Sequence, residues 1–292
     1  MTTTLVQAWT SARDRLKAAG IDQPVIDARV LLEAAAGASR TDILTDPYRA
    51  LSDDQVATLD DYLERRTRRQ PVSHIVGRKG FWKIMLNVTP QVLTPRPETE
   101  LLVGFALQSF AESERFSVLD LGVGSGAILL SILAERPVAK GLGVDVSEEA
   151  LAVARENAAN LGLEGRVALL RGDWTTGLGD ASFDLVVSNP PYIATAEIET
   201  LEPEVKDHEP RLALDGGPDG LDAYRALAGE ILRVLRPGGA FALEIGHDQG
   251  EAVQGLMTGA GAEEVRVLQD LAGKDRVVAG HKKPLGNTAP DC

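Results

Sequence analysis

The sequence predicts an α/β protein: a mostly parallel sheet with helices on both faces, preceded by a small helical domain and joined to it by a β-hairpin. Three observations predict this. From Phe116 onward short apolar segments alternate with helical ones, the signature of βαβ units. The first 70 residues instead carry apolar residues at helical spacing. A glycine-rich turn then joins the first apolar segment of the second part to a helix, as doubly wound sheets require where a ligand approaches the backbone.

The first predicted helix places Leu5, Ala8, Trp9, Ala12 and Leu16 on one face. Pro24 opens a second helix that runs through Val30 and Leu31 to Gly37. A third starts near Ser52, a suitable N-cap, with Val56, Leu59 and Leu63 inward. The basic run Arg65, Arg66, Arg68 and Arg69 closes it and suits the negative end of a helix. Alternation over 74–88 predicts a hairpin that turns around Gly77 to Gly80. Strands are expected at 116–121, 140–145, 166–171, 183–188 and 240–245, and helices near 126–136, 147–161, 221–235 and 247–259. The expected domains are 1–73, helical; 74–96, a hairpin linker; 97–283, the α/β domain; and 284–292, a loose tail with little apolar surface to bury.

Composition narrows the function. The 44% hydrophobic content is that of an ordinary globular protein. The one cysteine is Cys292, so no intrachain disulfide is expected and a reducing cytoplasm is. The first residues lack a basic stretch followed by an apolar core, so no signal peptide is expected. No apolar run reaches the ~18 residues that span a membrane. Residues 1–90 hold 13 Lys+Arg against 11 Asp+Glu, a balance of +2; residues 91–292 hold 17 against 32, a balance of −15. The acidic part repels nucleic acid and attracts a basic protein.

The chemistry concentrates at the carboxyl ends of the predicted strands. In "VLDLGVGSGAI" the turn Gly122-Val123-Gly124-Ser125-Gly126 lets the backbone bend sharply and approach a ligand. Asp145 ends the next strand, 23 positions after Gly122. An acid there receives the two ribose hydroxyls of a nucleoside. The spacing G-x-G-x-G is one residue shorter than the dinucleotide fingerprint. Asp120 before the loop favours a cationic ligand over a pyrophosphate. S-adenosylmethionine, with a ribose, an amino group, a sulfonium and no phosphate, meets both conditions. After the third strand, Asp173 is placed to accept from the adenine amino group and Trp174 to cover its ring.

The fourth strand ends in Asn189-Pro190-Pro191-Tyr192. The Asn189 side-chain oxygen and the Pro190 carbonyl, stiffened by two proline rings, form a pair of rigid acceptors for a planar NH₂ group. Tyr192 is positioned to stack on that group's flat face. Holding both N–H bonds returns electron density to a delocalised nitrogen and aims it at a methyl donor.

On these residues the chain resembles the bacterial release-factor glutamine N5-methyltransferases, a branch of the class I S-adenosylmethionine-dependent, Rossmann-like fold. The similarity extends over "PVSHIVGRKGFW" (71–82), "LTPRPETE" (93–100), "LDLGVGSGAI" (119–128), "SNPPYI" (188–193), "EPRLALDGGPDGL" (209–221) and "LRPGGAFALEIGHDQG" (235–250). The resemblance implies methyl transfer to the side-chain amide of the glutamine in the Gly-Gly-Gln loop of peptide release factors. It implies a recognition role for the helical domain, cofactor positions at the glycine loop, Asp145, Trp174 and Asn189, and a substrate clamp at Asn189 to Tyr192. The expected partner is a release factor and the expected state a monomer, with no nucleic acid or membrane. Adenine-N6 DNA methyltransferases share the tetrapeptide, but the acidic region and the lack of a target-recognition domain oppose them. Ribosomal-protein glutamine methyltransferases are nearer rivals; "PRPETE" favours the release-factor branch. A non-catalytic adenosine-binding module needs no Asn-Pro-Pro-Tyr. Arg96, Glu98 and Glu100, at the start of a helix, stay open between a helix-start role and a site role; Glu244 ends a strand near the site, and a supporting role behind it stays open. His208 and His247 have no partner at ligand spacing, so no metal is expected.

Overall fold

The computed structural model describes residues 2–285. The expected loose tail therefore lies, beyond Leu285, outside the described residues, as does Cys292. The chain forms two compact units. The first runs to Arg78 and takes in Glu202–His208; the second holds Lys79–Leu201 and the chain from Glu209. The hairpin, expected as a linker, thus falls almost wholly within the second unit, and a short later segment belongs to the first.

The first unit contains α1 (Leu5–Ala18), α2 (Pro24–Ala36), α3 (Arg40–Thr45), α4 (Asp53–Thr67), α5 (Val72–Val76) and α9 (Pro203–Lys206). Leu5, Leu16, Leu31, Leu32, Leu59 and Leu63 build its core. Trp9, expected inward, is only partly buried, and the Arg13 guanidinium lies 5.5 Å from its ring centroid. Pro24 stands in the first turn of α2, and Gly37 ends that helix at φ 59°. Ser52 caps α4 reciprocally with Gln55: Ser52 Oγ accepts from the Gln55 amide at 3.2 Å and Gln55 Oε1 from the Ser52 amide at 3.0 Å. The basic run does more than complement a helix end. Arg66 is buried, its Nε donating to Asp27 Oδ2 at 2.7 Å and its Nη1 to Glu204 Oε1 at 2.8 Å, while Arg69 Nη1 reaches Glu204 at 3.1 Å. A buried guanidinium requires such partners.

The second unit opens on a hairpin of β1 (Arg78–Phe81) and β2 (Ile84–Asn87). Its turn is at Trp82 and Lys83, not around Gly77 to Gly80. Gly77, at φ 73°, ends α5 instead. Trp82 holds φ 52°, uncommon for a bulky residue. It is supported from afar: its amide donates to Glu100 Oε1 at 2.7 Å and its indole N–H to Glu135 Oε1 at 3.0 Å.

Then follow α6 (Glu100–Ser109), β3 (Ser117–Leu121), α7 (Ala127–Glu135), β4 (Lys140–Asp145), α8 (Glu148–Asn160), β5 (Val167–Arg171), β6 (Phe183–Ser188), α10 (Asp222–Val234), β7 (Leu235–Glu244), α11 (Gly250–Gly259), β8 (Ala262–Gln269) and β9 (Asp275–Lys282). The sheet order is β5-β4-β3-β6-β7-β9-β8. The five expected strands pair in parallel, and β9 runs antiparallel between β7 and β8. Strands β8 and β9 were not expected. Alternating burial along β8 and the buried Val277, Val278 and Ala279 make them strands. Their turn closes on Asp270 Oδ1, which accepts from the amides of Ala272 and Lys274.

Apolar cores lie on both faces of the sheet, one gathering residues of α6, α7 and α8 and the other residues of α10 and α11. From β3 the chain winds outward through β4 to β5, then crosses back to β6 on the other side of β3. The loops after β3 and β6 therefore part at the point where strand order reverses, which is where such sheets bind ligands.

Candidate active site

A cavity of about 460 Å³ opens at these strand ends, within the size range of small-molecule sites. Its wall includes Gly122, Val123, Gly124, Ser125, Asp145, Asp173, Trp174, Asn189 and Pro191. Four residues expected at the site, Asp120, Gly126, Pro190 and Tyr192, are not in the wall.

The glycine loop is tied to the acid that ends β4. Gly122 and Gly124 adopt φ 74° and 52°, conformations that glycine accepts without strain. The amides of Gly122 and Val123 donate to the Val144 carbonyl at 2.9 and 3.0 Å. Asp145 Oδ2 accepts from the Gly124 amide at 2.9 Å and Oδ1 from the Ser147 amide at 3.0 Å. Each oxygen keeps a further lone pair for a ligand hydroxyl. Trp174, at φ 50°, lines the cavity beside this loop: a Cβ on Gly122 would lie 3.9 Å from its Cζ3.

Gly126 serves packing rather than the ligand. It holds φ 84°, and a Cβ there would stand 2.7 Å from Leu130 Cδ1. Asp120 is also turned inward. It is fully buried, its Oδ2 accepts from the Leu129 amide at 3.2 Å, and its Oδ1 has no partner. Burial pushes its pKa up to about 7, the Leu129 bond opposes this, and nearby Asp145 adds to it. The carboxyl thus faces the first turn of α7, where the helix favours negative charge, and not a cationic ligand.

A fourth tie was not anticipated. Asn157 on α8 is buried; its Nδ2 donates to the Ser125 and Asn87 carbonyls at 2.9 and 3.0 Å, and its Oδ1 accepts from the Asn87 amide at 2.7 Å. One side chain thereby fastens the end of β2 to the glycine loop. Asn157→Ala is expected to lower stability by roughly 1–2 kcal/mol, the cost of stranding buried polar groups. Thermal unfolding with and without cofactor checks this, and an unchanged midpoint in both would rule the tie out as a support of the loop.

The Asn-Pro-Pro-Tyr segment is held from behind. The Ile193 amide donates to the Leu214 carbonyl at 3.0 Å and the Gly216 amide to the Ile193 carbonyl at 2.8 Å. Gln249 Nε2 donates to the Tyr192 carbonyl at 2.9 Å. Cβ atoms on Gly216 and Gly220 would stand 2.8 Å from the Pro191 oxygen and 2.3 Å from the Tyr192 oxygen. The glycines of "LDGGPDG" are what let this loop lie against the segment. Tyr192 differs from expectation: its ring packs against the core shared with α10 and α11, and burial raises its pKa. Pro190 is buried. Asn189 reaches the cavity, with Nδ2 donating to Thr99 Oγ1 at 3.3 Å.

The segment before α6 supplies wall residues that local patterns did not assign. Arg96 and Thr99 line the cavity. Arg96 Nη2 donates to Glu209 Oε2 at 2.6 Å, and Glu209 Oε1 accepts from the Thr94 amide at 3.4 Å. Burial raises the pKa of Glu209, and Arg96 works against that rise. Glu100 proves structural, as the acceptor for Trp82; Glu98 lies in the short helix Pro97–Thr99. His208 Nε2 lies 3.4 Å from the Arg68 carbonyl and His247 Nδ1 3.7 Å from Asp248. Among the described residues, no group of three or more His, Cys, Asp or Glu is placed to hold a metal ion.

Residues 112–270 match the family described as methyltransferase domain, and residues 7–77 that described as PrmC N-terminal domain. The crystal structure of a methyltransferase from Pyrococcus furiosus shares the fold, with a TM-score of 0.50 at 19% identity over 68% of this chain and 88% of that one. Fold and site together define a methyltransferase with a doubly wound α/β core. A release factor glutamine methyltransferase of Caulobacter vibrioides is 71% identical over 289 residues, 99% of this chain and 100% of that one. Another, of Cereibacter sphaeroides, is 49% identical over 276 residues, 93% and 96% of the two chains. The chain belongs to the release factor glutamine methyltransferase family.

Proposed function

We propose that the protein methylates the side-chain amide nitrogen of the glutamine in the Gly-Gly-Gln motif of peptide chain release factors, with S-adenosylmethionine as methyl donor. The observation that carries this reading is that one cavity holds both Asp145, the last residue of β4, and Asn189, after β6. The donor set fits the cofactor: a carboxylate with free lone pairs for ribose, a loop of left-handed glycines beside it, and an indole next to an acid for adenine. Asp145, Gly122 to Ser125, Asp173 and Trp174 would hold it. When bound, it supplies a methyl group on a positively charged sulfur.

The chain's own task is to make an amide nitrogen reactive. Asn189 Oδ1 and the Pro190 carbonyl would accept its two N–H bonds, opposing delocalisation into the carbonyl. Pro190 and Pro191 limit backbone relaxation, and Gln249 and the 214–220 loop fix the segment from behind. The proton would leave to solvent after transfer, so no strong base is required. Partly buried, with its ring packed against the core of α10 and α11, Tyr192 would fill space beneath the clamp.

The acidic second unit suits a substrate that is itself basic because it approaches ribosomal RNA. The helical unit would add shape contacts to an intact release factor. Action as a monomer in the cytoplasm, on protein rather than nucleic acid or membrane, completes the reading; among the described residues no helix is long and apolar enough to cross a membrane. The test compares methylation of an intact release factor, a short Gly-Gly-Gln peptide and duplex DNA across a salt series. The intact protein should react best, with association slowing as salt rises. Efficient methylation of DNA, or a peptide as good as the whole factor, would overturn the proposal.

A further inference from the structure

We infer that Glu244 is a positioning residue for methyl transfer: with the Thr99 hydroxyl it holds the Asn189 amide nitrogen away from the substrate, so that Oδ1 is the atom presented to the substrate N–H. The inference rests on the function proposed above and deepens it.

A side-chain amide has two ends of nearly equal size, one a donor and one an acceptor. Asn189 serves as a clamp only if the acceptor end faces the substrate, and its own shape does not decide that. Its neighbours do. Strands β6 and β7 pair in parallel with Ser188 opposite Leu243, so Asn189 and Glu244 leave adjacent strands at the same level. Glu244 is 2% exposed and Thr99 4% exposed. The Tyr224 hydroxyl donates to the Glu244 main-chain oxygen at 2.7 Å and fixes the strand end. Thr99 and Asn189 neighbour the Glu244 carboxyl and both favour its charged form, and Asn189 Nδ2 donates to Thr99 Oγ1. Glu244 Oε2 has no partner.

An ionised carboxyl only accepts. It can accept a hydrogen bond from the Thr99 hydroxyl, which leaves the Thr99 oxygen to accept from Asn189 Nδ2. A flipped Asn189 would set its carbonyl oxygen against both oxygens with no proton between them. A protonated Glu244 could donate to that flipped oxygen, and the constraint would be lost. Burial pushes this carboxyl up to about 7; Thr99, Asn189 and the charge of Arg276 on β9 oppose the rise, and Glu98 before α6 adds to it. The other titratable neighbours, Tyr192 and Tyr224, have raised pKa values and stay neutral through this range. The clamp should therefore weaken as pH falls through the range in which Glu244 takes up a proton.

Glu244→Gln, Thr99→Val and Asn189→Ala are compared in single-turnover methylation of an intact release factor from about pH 6 to about pH 9, with cofactor affinity by calorimetry and folding by thermal melt. Glu244→Gln should slow transfer roughly tenfold, keep cofactor affinity and the substrate KM within about twofold, and remove the limb near pH 7. Thr99→Val should slow transfer less, and the double variant should lose less than the product of the two, because both act on one amide. A wild-type rate in Glu244→Gln, an unchanged limb, or a loss confined to cofactor affinity overturns the inference. If Glu244→Gln does not fold, Thr99→Val decides by the same rate and affinity criteria. An Asn189→Ala protein at wild-type rate sinks the proposed function itself; a slow Asn189→Ala beside wild-type rates for the other two sinks only the role of Glu244.

Discussion

Asn189→Ala is expected to lower turnover roughly 100-fold, with cofactor affinity changed only a few-fold. Asn189 is the member of the Asn-Pro-Pro-Tyr segment whose side chain is polar and reaches the cavity. On the proposed function, its removal would take away one of two acceptors for the substrate amide at the moment when hydrogen bonding to that amide matters most. Half of the clamp, the Pro190 carbonyl, belongs to the main chain and survives, so activity should not vanish. Steady-state kinetics with an intact release factor separates the two parameters. A variant that turns over normally but binds cofactor poorly would mean that Asn189 serves the cofactor and not the substrate.

Asp145→Ala is expected to weaken S-adenosylmethionine binding by roughly 1.5–3 kcal/mol, or roughly 10- to 150-fold in Kd. Two effects combine in that figure. The amides of Gly124 and Ser147 lose their acceptor, and on the proposed function the ribose hydroxyls would lose theirs. Asp145→Asn separates them in part, since one oxygen remains in place and the shape is kept; its loss should be the smaller. Calorimetry on both variants measures this, and cofactor affinity equal to wild type in Asp145→Ala would remove the acid from the site.

Periodicity and spacing along the sequence were enough to place the five parallel strands, the cap of α4, the glycine loop, Asp145 and Asn189. Each depends on residues a few positions apart, or on the rule that successive strands of such a sheet end at the same edge. The strands β8 and β9 are missed: "AEEVRVLQ" alternates only in part, "DRVVAGHK" does not alternate, and their antiparallel turn falls outside the alternating pattern of strand and helix that organised the rest. Other features had no local signal. The Arg96–Glu209 pair joins residues 113 positions apart and the Asn87–Asn157 pair residues 70 apart; only the tertiary fold brings them together. The same holds for side-chain direction. Asp120 looked like a ligand group because it precedes the loop, yet a strand alternates its faces, and the following helix offers buried amide donors to the face it takes. Tyr192 looked like a stacking ring, yet the apolar surface of α10 and α11 claims it. Sequence alone therefore determined which residues stand at the strand ends, because strand and turn are local events. Tertiary structure decided which of them face the cavity, because a side chain's direction is settled by the partners and apolar surfaces that folding brings to it.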